Sequence, residues 1–132
     1  MASRNLNDLR QEVREMAIKH IEACEKAGID LLIYCTYRSN AEQAIEYAKG
    51  RTAPGSIVTN ARPGQSKHNH VDGNGKPASL AYDCVPVVNG KPQWNNNAMV
   101  NKVGVLGEEI GLTWAGRWRG KLHESVHFEV QA

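Results

Sequence analysis

The chain has 132 residues, 41% of them hydrophobic and 23% charged, with a formal net charge of +2. That length suits one domain with a real core. So mild a charge, with no basic run or basic-aromatic ladder, gives no support for nucleic-acid binding, and no segment approaches the ~20 apolar residues that span a bilayer.

Met1-Ala2-Ser3-Arg4-Asn5 carries no apolar signal core. Leu6, Leu9, Val13, Met16, Ala17, Ile21 and Cys24 then recur at steps of three and four, which predicts one amphipathic helix from Asn5 to Ala27, stopped by Gly28. His20 lies near the apolar stripe and reads as structural. Asp30 to Thr36 is a short buried strand. Ser39 or Asn40 caps the next helix, with Glu42 in its first turn and Gly50 at its end. Arg38 sits between that strand and helix, where a surface ion pair and a functional side chain are both reasonable readings. Residues 50–67 form a long loop, and a loop of that length in a compact domain is functional or mobile.

Ser66-Lys67-His68-Asn69-His70 leads through a Gly-rich turn into Ala78 to Val88, a strand pattern with Asp83 at its centre. Asp72-Gly73-Asn74-Gly75 lacks the further acidic ligands of a calcium loop and reads as a hairpin turn. Asn89-Gly90 signals a second hairpin. Asn95 to Ile110 reads as a helix, weakened by Gly104 and Gly107, and Gly111 ends it. Leu112-Thr113-Trp114 and Val126 to Val130 close the chain as strands. The order of elements predicts an α+β fold, a small antiparallel sheet flanked by helices.

A carboxylate inside an apolar strand is costly without a cation or several donors. Asp83 has His68 and His70 upstream, and His127 lies in the last apolar strand. Two histidines and a carboxylate make a three-ligand zinc set with a position open for water, and Glu124 is a candidate base for that water. His123-Glu124-Ser125-Val126-His127 is also a literal H-E-x-x-H. That motif works on a helix, whereas these flanks are a glycine and a strand; under it His123 would be a ligand and Asp83 a core oddity. From spacing alone, a metal centre and a set of unrelated histidines both stand. Cys24, Cys35 and Cys84 are odd in number with no C-x-x-C, so they are expected as thiols of a protein made in a reducing cytoplasm.

Several separate pieces together resemble the D-Ala-D-Ala carboxypeptidase-like (VanY-like) zinc peptidases of bacterial cell-wall metabolism, and among these the phage endolysins that are L-alanyl-D-glutamate peptidases. They are Thr36-Tyr37-Arg38-Ser39 with Glu42-Gln43, Gly50-Arg51-Thr52 with Pro54-Gly55, and Ser66-x-His68. Ala81-x-Asp83, Trp114-Ala115-Gly116 and Glu124-x-x-His127-Phe128 complete the set.

The resemblance covers about residues 30–130. It implies zinc on His68, Asp83 and His127, Glu124 as general base, and Arg38 on the substrate oxyanion. The insertion from Val71 to Pro77 leaves His70 competing with His68. Ser66, Trp114 and Trp118 are expected on the walls of the peptide groove, although a Trp in a sheet is as often core. Glu129 or His123 orients a ligand from outside the metal shell.

The implied protein is one catalytic domain over 1–132 with no separate wall-binding domain, a monomer acting on peptidoglycan stem peptides. It is made in the host cytoplasm without a signal peptide and released to the wall through a holin. A D-Ala-D-Ala carboxypeptidase or dipeptidase, or a non-catalytic wall-binding domain, is the alternative.

Overall fold

The structure, a computed structural model, describes residues 2–120 and 123–131. The helical pattern after Asn5 splits in two. A single 3₁₀ turn spans Leu6–Asp8, and helix α1 runs Gln11–Lys26. Between them the backbone straightens to bond Ser79: Ser79 N–H donates to the Asp8 carbonyl at 2.8 Å and Arg10 N–H to the Ser79 carbonyl at 3.0 Å. A tertiary strand-like contact thus overrides the local helical pattern. His20 is fully buried in α1; its Nε2 donates to the Val103 carbonyl at 2.8 Å and its Nδ1 accepts from the Tyr82 hydroxyl at 2.7 Å. It is a satisfied core histidine.

Strand β1 is Asp30–Cys35 and helix α2 is Asn40–Ala48. The start of α2 is a full capping box, Ser39 accepting from Glu42 N–H and Glu42 accepting from Ser39 N–H. Strands β2 (Ala81–Val88) and β3 (Lys91–Pro92) are joined by Asn89-Gly90, both at positive φ, the turn that Asn-Gly favours. Helix α3 (Asn97–Ile110) starts at the Asn96 cap and stops at Gly111. Strands β4 (Thr113–Trp114) and β5 (His127–Glu129) complete an antiparallel sheet of order β1-β2-β5-β4, with β3 on β2. This is the expected α+β fold. Among the described residues no helix is long and apolar enough to cross a membrane, and Cys24, Cys35 and Cys84 are free and buried.

Alternation along the strands divides the sheet into two faces. Tyr82 and Cys84 of β2, Phe128 of β5 and Trp114 of β4 meet Val13, Ala17 and Val103 from α1 and α3 in the core. Asp83, His127 and Glu129 fall on the other face. Trp114, expected as a candidate groove wall, is therefore core: it is 5% exposed, because its partner across the ladder is Phe128. Its indole N–H donates to the Ser125 carbonyl at 2.8 Å and so anchors the approach to β5.

The glycines that weaken α3 on propensity have a packing reason. A Cβ on Gly104 would lie 2.2 Å from the Trp114 ring, and one on Gly107 would lie 2.7 Å from Phe128. Gly104→Ala gains about 1 kcal/mol of helix propensity. It meets an indole that also packs closely against Gly116 and is held at its N–H by Ser125, and overpacking costs about 1–3 kcal/mol. We expect a net loss of up to roughly 2 kcal/mol in urea unfolding; higher stability would contradict this packing.

Candidate metal centre

Asp83 is at the middle of the sheet, its Cα paired with His127 on β5 and with Cys35 on β1. The second pairing depends on a bulge. Leu31 and Ile33 point at the core, and strict alternation would send Cys35 there as well. The register shift between Ile33 and Cys35 re-aims Cys35 to the Asp83 side. His68 arrives from a 3₁₀ turn, Lys67–Asn69, whose Ser66 cap accepts from His68 N–H at 3.1 Å.

Both imidazoles converge on one carboxylate oxygen. His68 Nε2 is 3.2 Å and His127 Nδ1 is 3.1 Å from Asp83 Oδ1. The far nitrogens are committed. His68 Nδ1 lies 2.8 Å from the Thr36 carbonyl, which can only accept, and His127 Nε2 lies 2.8 Å from the Glu129 carboxylate. Each far nitrogen is therefore the N–H, and each neutral ring turns a lone pair toward Asp83. Two lone pairs facing an anionic oxygen repel unless protons or a cation stand between them. Two imidazole nitrogens and a carboxylate, all buried, form the donor set that zinc prefers.

The charges follow this geometry. Burial opposes charge on all three groups, and their mutual attraction overrides it. It holds the Asp83 carboxyl well below the usual range and lifts His68 well above, and His127 above, the ordinary imidazole value. Burial also opposes charge on Glu129, but His127 and Lys67 (Nζ at 2.9 Å) lower it. Glu129 thus stays an anionic acceptor, and it orients His127 from behind; His123 does not. Strand alternation puts His127 and Glu129 on one face, a signal present in the sequence.

Among the described residues, Cys35, His68 and Asp83 are the group whose ligand atoms all lie within 4.8 Å of one another, and His127 is outside it. The Cys35 Sγ, however, is 3.7 Å from His68 Nδ1, the nitrogen already given to Thr36. The thiol lies behind the ring and receives an Arg38 Nη2–H at 3.5 Å. We propose His127, whose lone pair points at the same oxygen as that of His68, as the third ligand.

Glu124 and Arg38 stand beside the centre. Glu124 Oε2 is 3.7 Å from His127 Nδ1, and burial, with the Asp83 charge adding to it, raises its carboxyl against the pull of His127. Arg38 Nη2 is 3.8 Å from Asp83 Oδ2. All of these face a cleft of about 800 Å³ that Ser66, Trp118, Tyr34 and Trp94 also line. Trp118 lies 5.9 Å from the His127 ring.

Of the competing ligands, His123 also lines the cleft and His70 does not. His70 turns its Nδ1 to the Ala78 carbonyl at 2.8 Å, at the base of the Val71–Pro77 turn. His123 is exposed on a non-helical stretch, so the helical H-E-x-x-H geometry is not formed. Tyr34 and Trp94 line the cleft without a signal in the sequence that assigns them to it; each looks like ordinary strand or loop composition.

Comparison with known proteins bears on the family and the fold. A family model described as D-alanyl-D-alanine carboxypeptidase (VanY) matches residues 6–121. The peptidoglycan L-alanyl-D-glutamate endopeptidase CwlK of Bacillus subtilis (strain 168) is 32% identical over 131 residues, covering 94% of this chain and 74% of the relative. The solved L-Ala D-Glu endopeptidase ChiX of Serratia marcescens superposes with a TM-score of 0.64 at 17% identity, over 99% of this chain and 89% of its own. The vancomycin-resistance D,D-pentapeptidase VanY, solved as a mutant in complex with Zn(II), gives 0.64 at 13% identity, over 94% of this chain and 73% of its own.

Two outcomes test the centre. His68→Ala, Asp83→Ala and His127→Ala should each abolish binding of one zinc per chain, whereas His70→Ala and His123→Ala keep it. Glu129→Ala should weaken it by roughly 10–100-fold. Retention of metal by Asp83→Ala and its loss from His123→Ala would reverse the assignment. The second outcome is pH dependence. His68 and His127 hold protons to higher pH than free imidazole, and a metal must displace them. Zinc affinity of chelated protein should therefore still rise with pH above about 6.5 in competition titrations; a flat profile there would contradict the raised values.

Proposed function

The chain belongs to the D-alanyl-D-alanine carboxypeptidase (VanY) family, and from that premise we propose that it is a zinc peptidase that hydrolyses the L-Ala-D-Glu bond of peptidoglycan stem peptides. The observation that carries this is the convergence of His68 and His127 on Asp83 Oδ1 in a cleft shared with Glu124 and Arg38. The named relative CwlK supports the choice of bond.

When bound, zinc supplies a Lewis acid and lowers the pKa of a water in its open position toward neutrality. The chain's residues do the rest. Glu124, raised by burial yet open to the cleft, would take a proton from the attacking water as its oxygen adds to the carbonyl carbon and return it to the amine as the C–N bond breaks. Arg38 keeps an N–H fork at the Asp83 edge of the cleft, where it donates to the substrate carbonyl oxygen as negative charge builds there. Trp118 and Ser66 flank the peptide. Asp83 and the two histidines are fixed by Thr36, Glu129 and the sheet, so the geometry is set before substrate arrives.

The finer reading is a phage-type endolysin, one catalytic domain acting as a monomer, made in the host cytoplasm and released through a holin. Its support is the order of the endolysin-like motifs and the three buried thiols that suit a reducing compartment. The second reading, release of terminal D-Ala, is favoured by the family model's own description.

Mass spectrometry of digested peptidoglycan separates the two. The proposed cut frees a new amino terminus on D-Glu, whereas free D-Ala would favour the carboxypeptidase. Glu124→Gln should keep its zinc and lose rate by roughly 10²-fold or more. A variant with normal zinc and near wild-type turnover would remove Glu124 from the mechanism.

A further inference from the structure

Gln43 is fully buried on the first turns of α2. A buried amide costs free energy unless its donors and acceptor are used, and here both ends are used. Its Oε1 accepts from Arg38 Nη1 at 2.9 Å. Its Nε2 donates to the Ala61 carbonyl at 2.7 Å and reaches the Thr59 hydroxyl at 3.4 Å. The Ala61 carbonyl can only accept, which fixes the orientation of the amide.

The spacing gives this bond a specific job. With Ser39 as N-cap, Arg38 is the residue just before the cap and Gln43 the fourth inside the helix. Those two positions meet when an apolar pair staples the entering chain to the helix. In this chain the pair is polar, and the staple holds a guanidinium.

The other arm of Gln43 holds the loop that walls the cleft. The Thr59 hydroxyl meets Gln43 and accepts from Ala61 N–H at 3.1 Å, and its carbonyl accepts from Arg51 Nη1 at 3.0 Å. Arg51 also stacks on the Tyr47 ring at 3.8 Å and donates to the Tyr47 carbonyl at 2.7 Å. Gly50, at φ +78, lets the loop return: a Cβ there would lie 2.7 Å from Ile57 N. Val58, Thr59 and Ala61 then face the cleft. Gly50, Arg51 and Gln43, from pieces unused by the metal chemistry, belong to this one network.

We propose that Gln43 is a positioning residue that sets the Arg38 guanidinium and couples it to the loop 50–66 wall of the peptide cleft. The proposal rests on the peptidase reading above. Arg38 has few other restraints. Its contacts to Cys35 Sγ at 3.5 Å and Asp83 Oδ2 at 3.8 Å are long, and its Nε is buried with no partner. Without Gln43 the guanidinium would relax toward Asp83 and leave the position where it meets the substrate carbonyl.

The test is a double-mutant cycle on kcat and KM for peptidoglycan fragments, with zinc content and Tm measured alongside. Gln43→Met should lower kcat by roughly 10–10²-fold, the scale of a misplaced catalytic group, at unchanged zinc. In an Arg38→Met background it should cost nothing further, because its effect passes through Arg38. Gln43→Glu keeps an acceptor for Arg38 and should recover most of kcat, while Tm falls because its other oxygen faces the Ala61 carbonyl. An equal loss from Gln43→Met in both backgrounds, or no rescue by Gln43→Glu, would make Gln43 merely structural and overturn the proposal. If Gln43→Met does not fold, the cycle runs with Thr59→Val: a smaller kcat loss that vanishes in the Arg38→Met background supports the proposal, and an equal loss in both backgrounds overturns it. A wild type that leaves peptidoglycan uncut would defeat the peptidase reading instead, and that outcome appears before any variant is made.

Discussion

A single carboxylate oxygen, Asp83 Oδ1, receives two imidazole nitrogens at 3.2 and 3.1 Å inside a protein interior. That arrangement is unfavourable unless positive charge is shared among the three groups, and much of the molecule serves to maintain it. Thr36 and Glu129 hold the rings from behind, so the lone pairs cannot turn away. Lys67 and Gln131 hold Glu129 in turn, at 2.9 and 3.0 Å. Ligand orientation therefore comes from groups one bond further out, the usual arrangement around a metal-binding histidine.

The sheet makes this possible because its two faces do different work. One face, with Tyr82, Phe128 and Trp114, is sealed by α1 and α3 and provides the rigidity. The opposite face is left to Asp83, His127 and Glu129. A shift of one residue in the β2–β5 register would exchange the faces and turn these polar side chains into the apolar core. The bulge in β1 and the glycines of α3 are local irregularities that serve this arrangement: one brings Cys35, and the chain leading to Arg38, to the site face, and the other lets α3 approach the sheet closely enough to seal it.

Much of this was legible before the coordinates. Ser39 with Glu42, Asn89-Gly90 and Gly111 are local chemistry, and each forms the cap or turn its residues favour. The carboxylate in an apolar strand pointed to the centre for the same reason that makes it costly. The break at Leu9-Arg10 was not legible, because a contact with Ser79, distant in sequence, causes it. Trp114 could have been core or groove; only its pairing with Phe128 decides. The role of Gln43 needed the loop at Ala61 to be folded against it, which no local pattern encodes.

The identity of the third ligand is the central claim, and zinc K-edge X-ray absorption on the purified protein tests it most directly. The account predicts nitrogen and oxygen neighbours at about 2.0–2.1 Å, with the multiple-scattering signature of two imidazoles. A sulfur neighbour at about 2.3 Å would put Cys35 in the place assigned to His127 and contradict it.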